Sequence, residues 1–182
     1  MKESSEWRIG TEEDLEKAQA FFYSVRNEIT PPFSSYPHGI QGTIELLLAE
    51  GRLLLGIKDK KIVGLLGYFH GIPKLNSGGG FDYSETKTAY IYCFVIAPEH
   101  RGPFSFTLLP VLGKNIIADG HVEARFKAFK ENNKLINRLY RQYGRLVCEE
   151  ANMQGIMSNV YSGDPFSWVT KFNDEKDAVH NA

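Results

Sequence analysis

Few side chains in this sequence have the type and spacing to do chemistry, and the best organised of them follow a long apolar run. In "TAYIYCFVIAPEHRGPFSFTLL" a stretch of strand-forming residues gives way to a turn holding Arg101 and Gly102, then to a helical pattern from about Phe106. A helix N-terminus carries unpaired N–H groups and a partial positive charge, so a turn of this kind suits an anion. Further on, "ENNKLINRLYRQYG" puts Asn133 and Tyr140 on an amphipathic helix. A phenol with an ordinary pKa of about 10 is protonated at neutral pH and can give its proton to a leaving group. Each residue also has a purely structural reading: Tyr140 as a packing residue beside Leu139, Asn133 as a helix N-cap, Arg101 as a solvated loop charge.

Other candidates are less organised. His38, His70, His100, His121 and His180 show no metal-ligand spacing, so no metal is expected. Cys93 and Cys148 are isolated, and Cys93 lies in an apolar run as a small hydrophobe would. Gly78, Gly79 and Gly80 are followed by no G-K-[ST] and no helix start, so they read as a flexible link. No Asp or Glu interrupts the long apolar run. Glu85 and Glu99 flank it and His70 closes the strand before it, and all three read as surface or loop residues before they read as a general base.

The elements that must position these residues follow from periodicity. Thr11 is an N-cap candidate, followed by Glu12, Glu13 and Asp14 where carboxylates suit the helix dipole. Leu15, Ala18, Phe22, Val25 and Ile29 then make one apolar face, ended by Pro31 and Pro32. A short second helix carries Ile44, Leu47 and Leu48. "RLLLGIKDKKIVGLLGYFHG" predicts a hairpin turning at Asp59 to Lys61, and the stretch from Ile72 to Lys87 predicts a mobile loop. Residues 89–97 predict a central strand covered on both faces. A helix is expected from Phe106 to Ala118 and a strand through Val122, Ala124, Phe126 and Ala128. The helix of Asn133 and Tyr140 stops at Gly144, and strands are expected near Leu146 and from Asn159 to Tyr161. The class is mixed α/β, with a central mixed sheet flanked by helices.

The 182 residues predict one domain, 1–182, with its core at about 6–161 and a C-terminal extension over 162–182 that ends frayed. With 21 basic and 22 acidic residues the net charge is -1, which argues against a nucleic-acid partner. The longest apolar runs fall far short of the roughly 20 residues of a membrane span. "MKESSEWRIG" does not resemble a signal peptide, so a reducing cytoplasm is the expected location.

Two segments carry a family resemblance. "FVIAPEHRGPFSFTLL" is similar to the signature of the GNAT superfamily of acyl-CoA N-acyltransferases, whose turn has the form [QR]-x-x-G-x-[GA]. "ENNKLINRLYRQYG" resembles that family's N-x-x-x-x-x-L-Y-x-x-x-G helix, with Asn133, Leu139, Tyr140 and Gly144 in register. The resemblance implies a GNAT-like fold, acetyl-CoA as co-substrate, and an acceptor amine on a small molecule or a peptide. It implies pyrophosphate contacts from Arg101, Gly102, Phe104, Ser105, Phe106 and Thr107, and a further cofactor contact from Asn133. Main-chain atoms of Phe94, Val95 and Ile96 would line the pantetheine, with an oxyanion donor near Phe94, and Tyr140 would be the general acid. The segment Phe33 to His38 and the loop from Ile72 would border the acceptor site. The sequence departs from the pattern at Phe104 and Phe106, which occupy its two small positions, and Pro103 removes one N–H. Two alternatives follow: a non-catalytic binding module of the same fold, or an acyltransferase using a different acyl-CoA. Oligomeric state stays open, with a homodimer allowed.

Overall fold

The computed structural model describes residues 5–28, 37–102, 107–130, 134–151 and 155–170. Ile29 to Tyr36, residues 103–106, residues 131–133 and the last twelve residues lie outside that description, and with them Phe104, Ser105, Phe106, Asn133 and most of the Phe33 to His38 segment.

Strand β1 (Ser5–Ile9) leads through a single 3-10 turn into helix α1 (Leu15–Ser24). Thr11 stands before that turn as expected, its N–H donating to Asp14 Oδ2 at 3.0 Å. Helix α2 (Gly39–Glu50) runs straight into β2 (Gly51–Lys58), which turns back as β3 (Lys61–Leu75). Asp59 and Lys60 make this turn with φ of 49° and 65°. Two left-handed central residues are what a two-residue hairpin needs to match strand twist.

Strand β4 (Phe81–Ile96) is longer than the sequence suggests. The expected mobile loop from Ile72 to Lys87 is largely strand, with Ile72 opposite Ser84 and Leu75 opposite Phe81. Only Asn76 to Gly80 turn, and Asn76 organises them: its side-chain oxygen accepts the N–H groups of Gly78 and Gly80 at 3.1 and 3.0 Å. The glycines loosen five residues rather than sixteen, because Phe81 and Tyr83 are anchored on Phe69 with ring centroids 5.6 Å away.

Helix α3 (Leu108–Ala118) crosses to β5 (Glu123–Phe129), and helix α4 (Lys134–Tyr143) leads to β6 (Arg145–Ala151) and β7 (Met157–Gly163). A last helix, α5, spans 165–170. The strands form one seven-stranded sheet in the order β1-β2-β3-β4-β5-β7-β6. Every neighbouring pair is antiparallel except β4 and β5.

The centre of the sheet is buried on both faces. Ala18, Phe22, Ile44 and Leu47 from α1 and α2 cover Leu53, Leu55, Leu65, Cys93 and Val95. On the other face Leu108, Leu112 and Ile116 of α3 cover Leu54, Leu66, Tyr68, Ala89 and Ala124. Consecutive leucines 53 to 55 therefore bury on alternate sides. The packed region runs beyond the expected boundary at 161. Trp168 is 2% exposed in the α3-side core, and its indole N–H donates to Tyr143 O at 2.8 Å. Helix α5 can sit there because Gly113 and Gly163 leave room: a Cβ on Gly163 would meet Trp168 at 2.3 Å.

Candidate functional site

The pairing of the long strand β4 with β3 slips twice within its length, between Gly67 and Tyr68 and between His70 and Ile72. Ile91 lies opposite Tyr68 and Cys93 opposite Gly67, so Tyr92 is an extra residue, a β-bulge. The side chains record the slip. Ile91 packs toward α3, Tyr92 and Cys93 both pack toward α1 and α2, and Phe94 returns to the α3 side.

The bulge falls where β4 leaves its parallel neighbour. β4 and β5 share three rungs, Thr88 with Glu123, Ala89 with Ala124 and Tyr90 with Arg125. Beyond Tyr90, β4 continues along β3 as far as Ile96, while β5 continues along β7 as far as Phe129. A wedge opens between Ile91–Ile96 and Phe126–Phe129. Among the described residues, the wedge edge of β4 has no strand partner. β4 and β5 are thus a parallel pair, adjacent at one end and diverging at the other.

Tyr140 stands over the opening on the α3 side. Its ring meets Phe126, the first β5 residue beyond the last rung, edge to face at 4.7 Å, and Tyr161 at 5.8 Å. Burial, and then the neighbouring Tyr161, pushes its phenol up to about 12, so it holds its proton at neutral pH. The ring's bed is fixed by a residue that sequence reasoning missed. Asn137, one turn earlier in α4, donates to Phe129 O at 2.8 Å. Its oxygen accepts from Asn159 Nδ2 at 2.7 Å and Tyr161 OH at 2.8 Å. An amide three residues before Tyr140 was the available signal. Gly144, at the motif's end, is required for space: a Cβ there would meet Phe126 and Ser162 O at 2.7 Å.

Phe94, Val95 and Ile96 lie along the wedge edge of β4, with Val95 and Ile96 buried and Phe94 partly so. Arg101 follows, and its guanidinium is engaged: Nε donates to Ile96 O at 3.1 Å and NH2 to Glu28 at 2.7 Å. This clasps the end of β4 to the segment after α1. Gly102 has φ of 111°, a conformation that side chains resist, although its surroundings would admit a Cβ. Thr107 immediately precedes α3. A cleft of about 490 Å³ lies beside Arg101, lined by Phe21, Val25, Glu28, Ile62, Ala97 and His100.

On the opposite face of the wedge, Lys127 sits 5.3 Å from the Tyr90 ring and pairs with Glu150. The bordering cluster of Phe69, Phe81, Tyr83 and Tyr92 reaches His38, whose ring meets Phe81 at 5.2 Å and whose Nε2 is buried without a hydrogen-bond partner among the described residues. Of the base candidates, Glu85 pairs with Arg125 at 3.3 Å and His70 contacts His121, while Glu99 is exposed. Among the described residues no cluster of three or more His, Cys, Asp or Glu could hold a metal, and no helix is long and apolar enough to cross a membrane.

No family model matches the chain, and no curated protein matches it in sequence. Solved structures do. An acetyltransferase of the GNAT family from Desulfovibrio desulfuricans superposes with a TM-score of 0.64 at 15% identity, over 89% of this chain and 99% of that one. The acetyltransferase YncA of Salmonella typhimurium, solved with its cofactor acetyl-CoA, gives 0.65 at 9% identity over 88% and 94%. The ribosomal-protein-S5-alanine acetyltransferase of Vibrio fischeri gives 0.63 at 14% over 90% and 94%. With its bulged central strand, its single parallel pair and the wedge between them, the chain has the fold of the GNAT acetyltransferases.

Proposed function

We propose that this protein is an N-acetyltransferase that moves an acetyl group from acetyl-CoA to an amine of a small molecule or peptide. The observation that carries the reading is the wedge between β4 and β5 with the protonated Tyr140 over it. The wedge fits the cofactor, because an extended pantetheine arm can pair with strand-edge groups as an added strand would. Phe94, Val95 and Ile96 would hold that arm through main-chain atoms. Gly102, Thr107 and the α3 N-terminus would face the pyrophosphate, together with Phe104, Ser105 and Phe106. Acetyl-CoA supplies an acyl thioester that a neutral amine can attack.

The chain's own contribution is positional and acid–base. A main-chain N–H near Phe94 would be the donor to the carbonyl oxygen, where negative charge develops. Tyr140 would give its proton to the departing sulfur and be restored by the proton that the amine sheds, and its raised pKa keeps the phenol protonated at any physiological pH. The pattern at Pro103, Phe104 and Phe106 favours a second reading: the same fold binding a different acyl-CoA, or binding without turnover. Thermal-shift titration with acetyl-CoA and longer acyl-CoAs, followed by thiol-release assays over a panel of amines, tests both. Stabilisation with thiol release supports the enzyme, stabilisation alone supports the binding module, and neither removes the assignment.

A further inference from the structure

At the closed end of the wedge the buried His121 pairs with the half-buried His70, and the catalytic reading uses neither. His121 begins the segment entering β5, is 3% exposed, and has both ring nitrogens engaged. Its Nδ1 lies 3.0 Å from Thr86 O and its Nε2 lies 2.8 Å from His70 Nδ1. The two rings stack at 5.1 Å.

Proton positions follow from the partners. A carbonyl oxygen only accepts, so His121 Nδ1 carries a hydrogen and donates to Thr86 O. In neutral His121 the Nε2 is then bare, and His70 Nδ1–H must be the donor to it. The chain of hydrogen bonds runs in one direction, from His70 through His121 to the backbone of β4.

This chain sits where the two halves of the sheet are joined. β4 here loops outward: Glu85 to Thr88 stand between Ser84, opposite Ile72, and Ala89, opposite His70. Those looped residues meet the approach to β5. Thr86 O takes His121, and Lys87 O takes the N–H of Val122 at 2.9 Å. The three parallel rungs follow at once, and then the wedge opens. His70, on β3, thus ties the root of β5 across β4.

We propose that the His70–His121 hydrogen bond is a proton-sensitive latch that positions β5 against β4 and thereby sets the wedge in which the acyl donor lies. The part concerning the donor rests on the function proposed above. While a single N–H lies between His70 Nδ1 and His121 Nε2 the bond stands. With both rings charged the bond is lost, because two N–H groups on two cations then face each other at the same nitrogen separation. The charged and titratable groups facing the pair are Tyr68 from β3, Arg52 from β2 and Asp119 from the turn after α3. Tyr68 OH donates to Asp119 at 2.6 Å and Arg52 pairs with the same carboxylate. Asp119 is therefore already balanced by one cation and is a poor counterion for two more.

Burial, and next the charge of His70, holds His121 below its ordinary value. The unfolded or opened state then takes up the proton first. The latch contributes fully above the ordinary histidine pKa of about 6.5 and is lost as pH falls through the lower, closed-state value.

Amide hydrogen exchange at pH 7.5 and 5.0, corrected for intrinsic chemistry, tests the latch without any ligand. The Val122 amide should lose protection about tenfold or more at pH 5.0, while that of Gly10, bonded to Leu53 O at the far edge, should not. In His70→Gln the like charge is gone and the amide can turn to accept from a His121 imidazolium, so protection at pH 5.0 should fall clearly less than in the unmodified protein, with only the cost of burying the imidazolium remaining. His121→Leu should exchange rapidly at both pH values. Equal Val122 protection at both pH values in the unmodified protein, or an equal loss in His70→Gln, overturns the latch. Calorimetry with acetyl-CoA on the same samples tests the link to the wedge. Affinity should fall with pH more steeply in the unmodified protein than in His70→Gln, and equal slopes overturn that link. An exchange switch with no acetyl-CoA binding at either pH leaves the latch standing and removes the cofactor reading instead.

Discussion

The two halves of the sheet are held together by different means. From β1 to β4 the strands are antiparallel and paired over long stretches, and leucine, valine and aromatic side chains fill both faces. In the β5-β7-β6 half one face carries Phe126, Tyr161 and Trp168 around the buried Asn137, while the other carries ion pairs such as Lys127–Glu150 and Arg125–Glu123. β6 is exposed along its whole length. An apolar half loses stability gradually as methyl groups are removed, whereas a polar half depends on named partners. The two halves meet in three rungs, and the candidate chemistry sits at that narrow seam.

The sharpest way to break the comparison is at the seam itself. Tyr140→Phe should leave acetyl-CoA affinity in place and lower turnover by roughly 10- to 10⁴-fold, the range of a general acid. Saturating steady-state assays on any accepted amine check this. Unchanged turnover would assign Tyr140 to packing on Phe126 and Tyr161, and the seam would then be structural on this side.

Next comes the polar half alone. Asn137→Ala removes the acceptor of Asn159 and Tyr161 and the donor to Phe129 O, leaving buried groups unpaired. A stability loss of about 3 kcal/mol in urea unfolding is expected. By contrast a loss below about 1 kcal/mol would show that water enters readily, and that this half is less dependent on its network than its geometry implies.

A smaller effect is expected at the two aromatic positions of the motif's turn. Replacing Phe104 and Phe106 together by Gly should tighten acetyl-CoA from tens of micromolar, about 6 kcal/mol, by roughly tenfold. Calorimetry on the two proteins decides the point. Nanomolar binding before the substitution would show that the aromatic residues do not handicap the loop.

Much of this was legible in the sequence because period reports burial. The alternation of Ala124, Phe126 and Ala128 marks a strand with one buried face, and the spacing of Ala18, Phe22 and Val25 marks a helix face. The register of Asn133, Leu139, Tyr140 and Gly144 located the helix that places Tyr140. The bulge was not legible. In "YIYCFVI" both faces are buried, so a slip of one residue at Tyr92 leaves no trace in the pattern. His70 and His121 lie 51 residues apart and pair only through the sheet. Glycines at 78 to 80 suggested a long loop, because nothing local shows that Phe81 and Tyr83 are held by Phe69. Trp168 lies beyond the last clear period and joins the core through space that Gly163 leaves open.

The smallest predicted effect lies at the far edge of the apolar half, and it sets the edge against the seam in acid. Asp14 accepts two hydrogen bonds from Arg8, at 2.8 and 2.7 Å, and one from the Thr11 N–H. The Arg8 hydrogen bond, more than the opposing cost of burial, holds its carboxyl well below the usual carboxylate range. A depressed carboxylate stabilises the fold above its unfolded value of about 3.9 and loses that contribution as pH falls further. Arg8 is 40% exposed, which limits the pair to about 1 kcal/mol. Asp14→Asn should therefore cost about that much at pH 7, with the gap to the unmodified protein closing below about pH 4. Urea unfolding at a series of pH values measures the gap. Because the latch at His121 weakens below the ordinary histidine value of about 6.5, a window near pH 5 should exist in which the seam has loosened while the β1 edge remains bound. A gap that already closes at pH 5 would show the edge giving way together with the seam, and the two halves would then respond to acid as one unit.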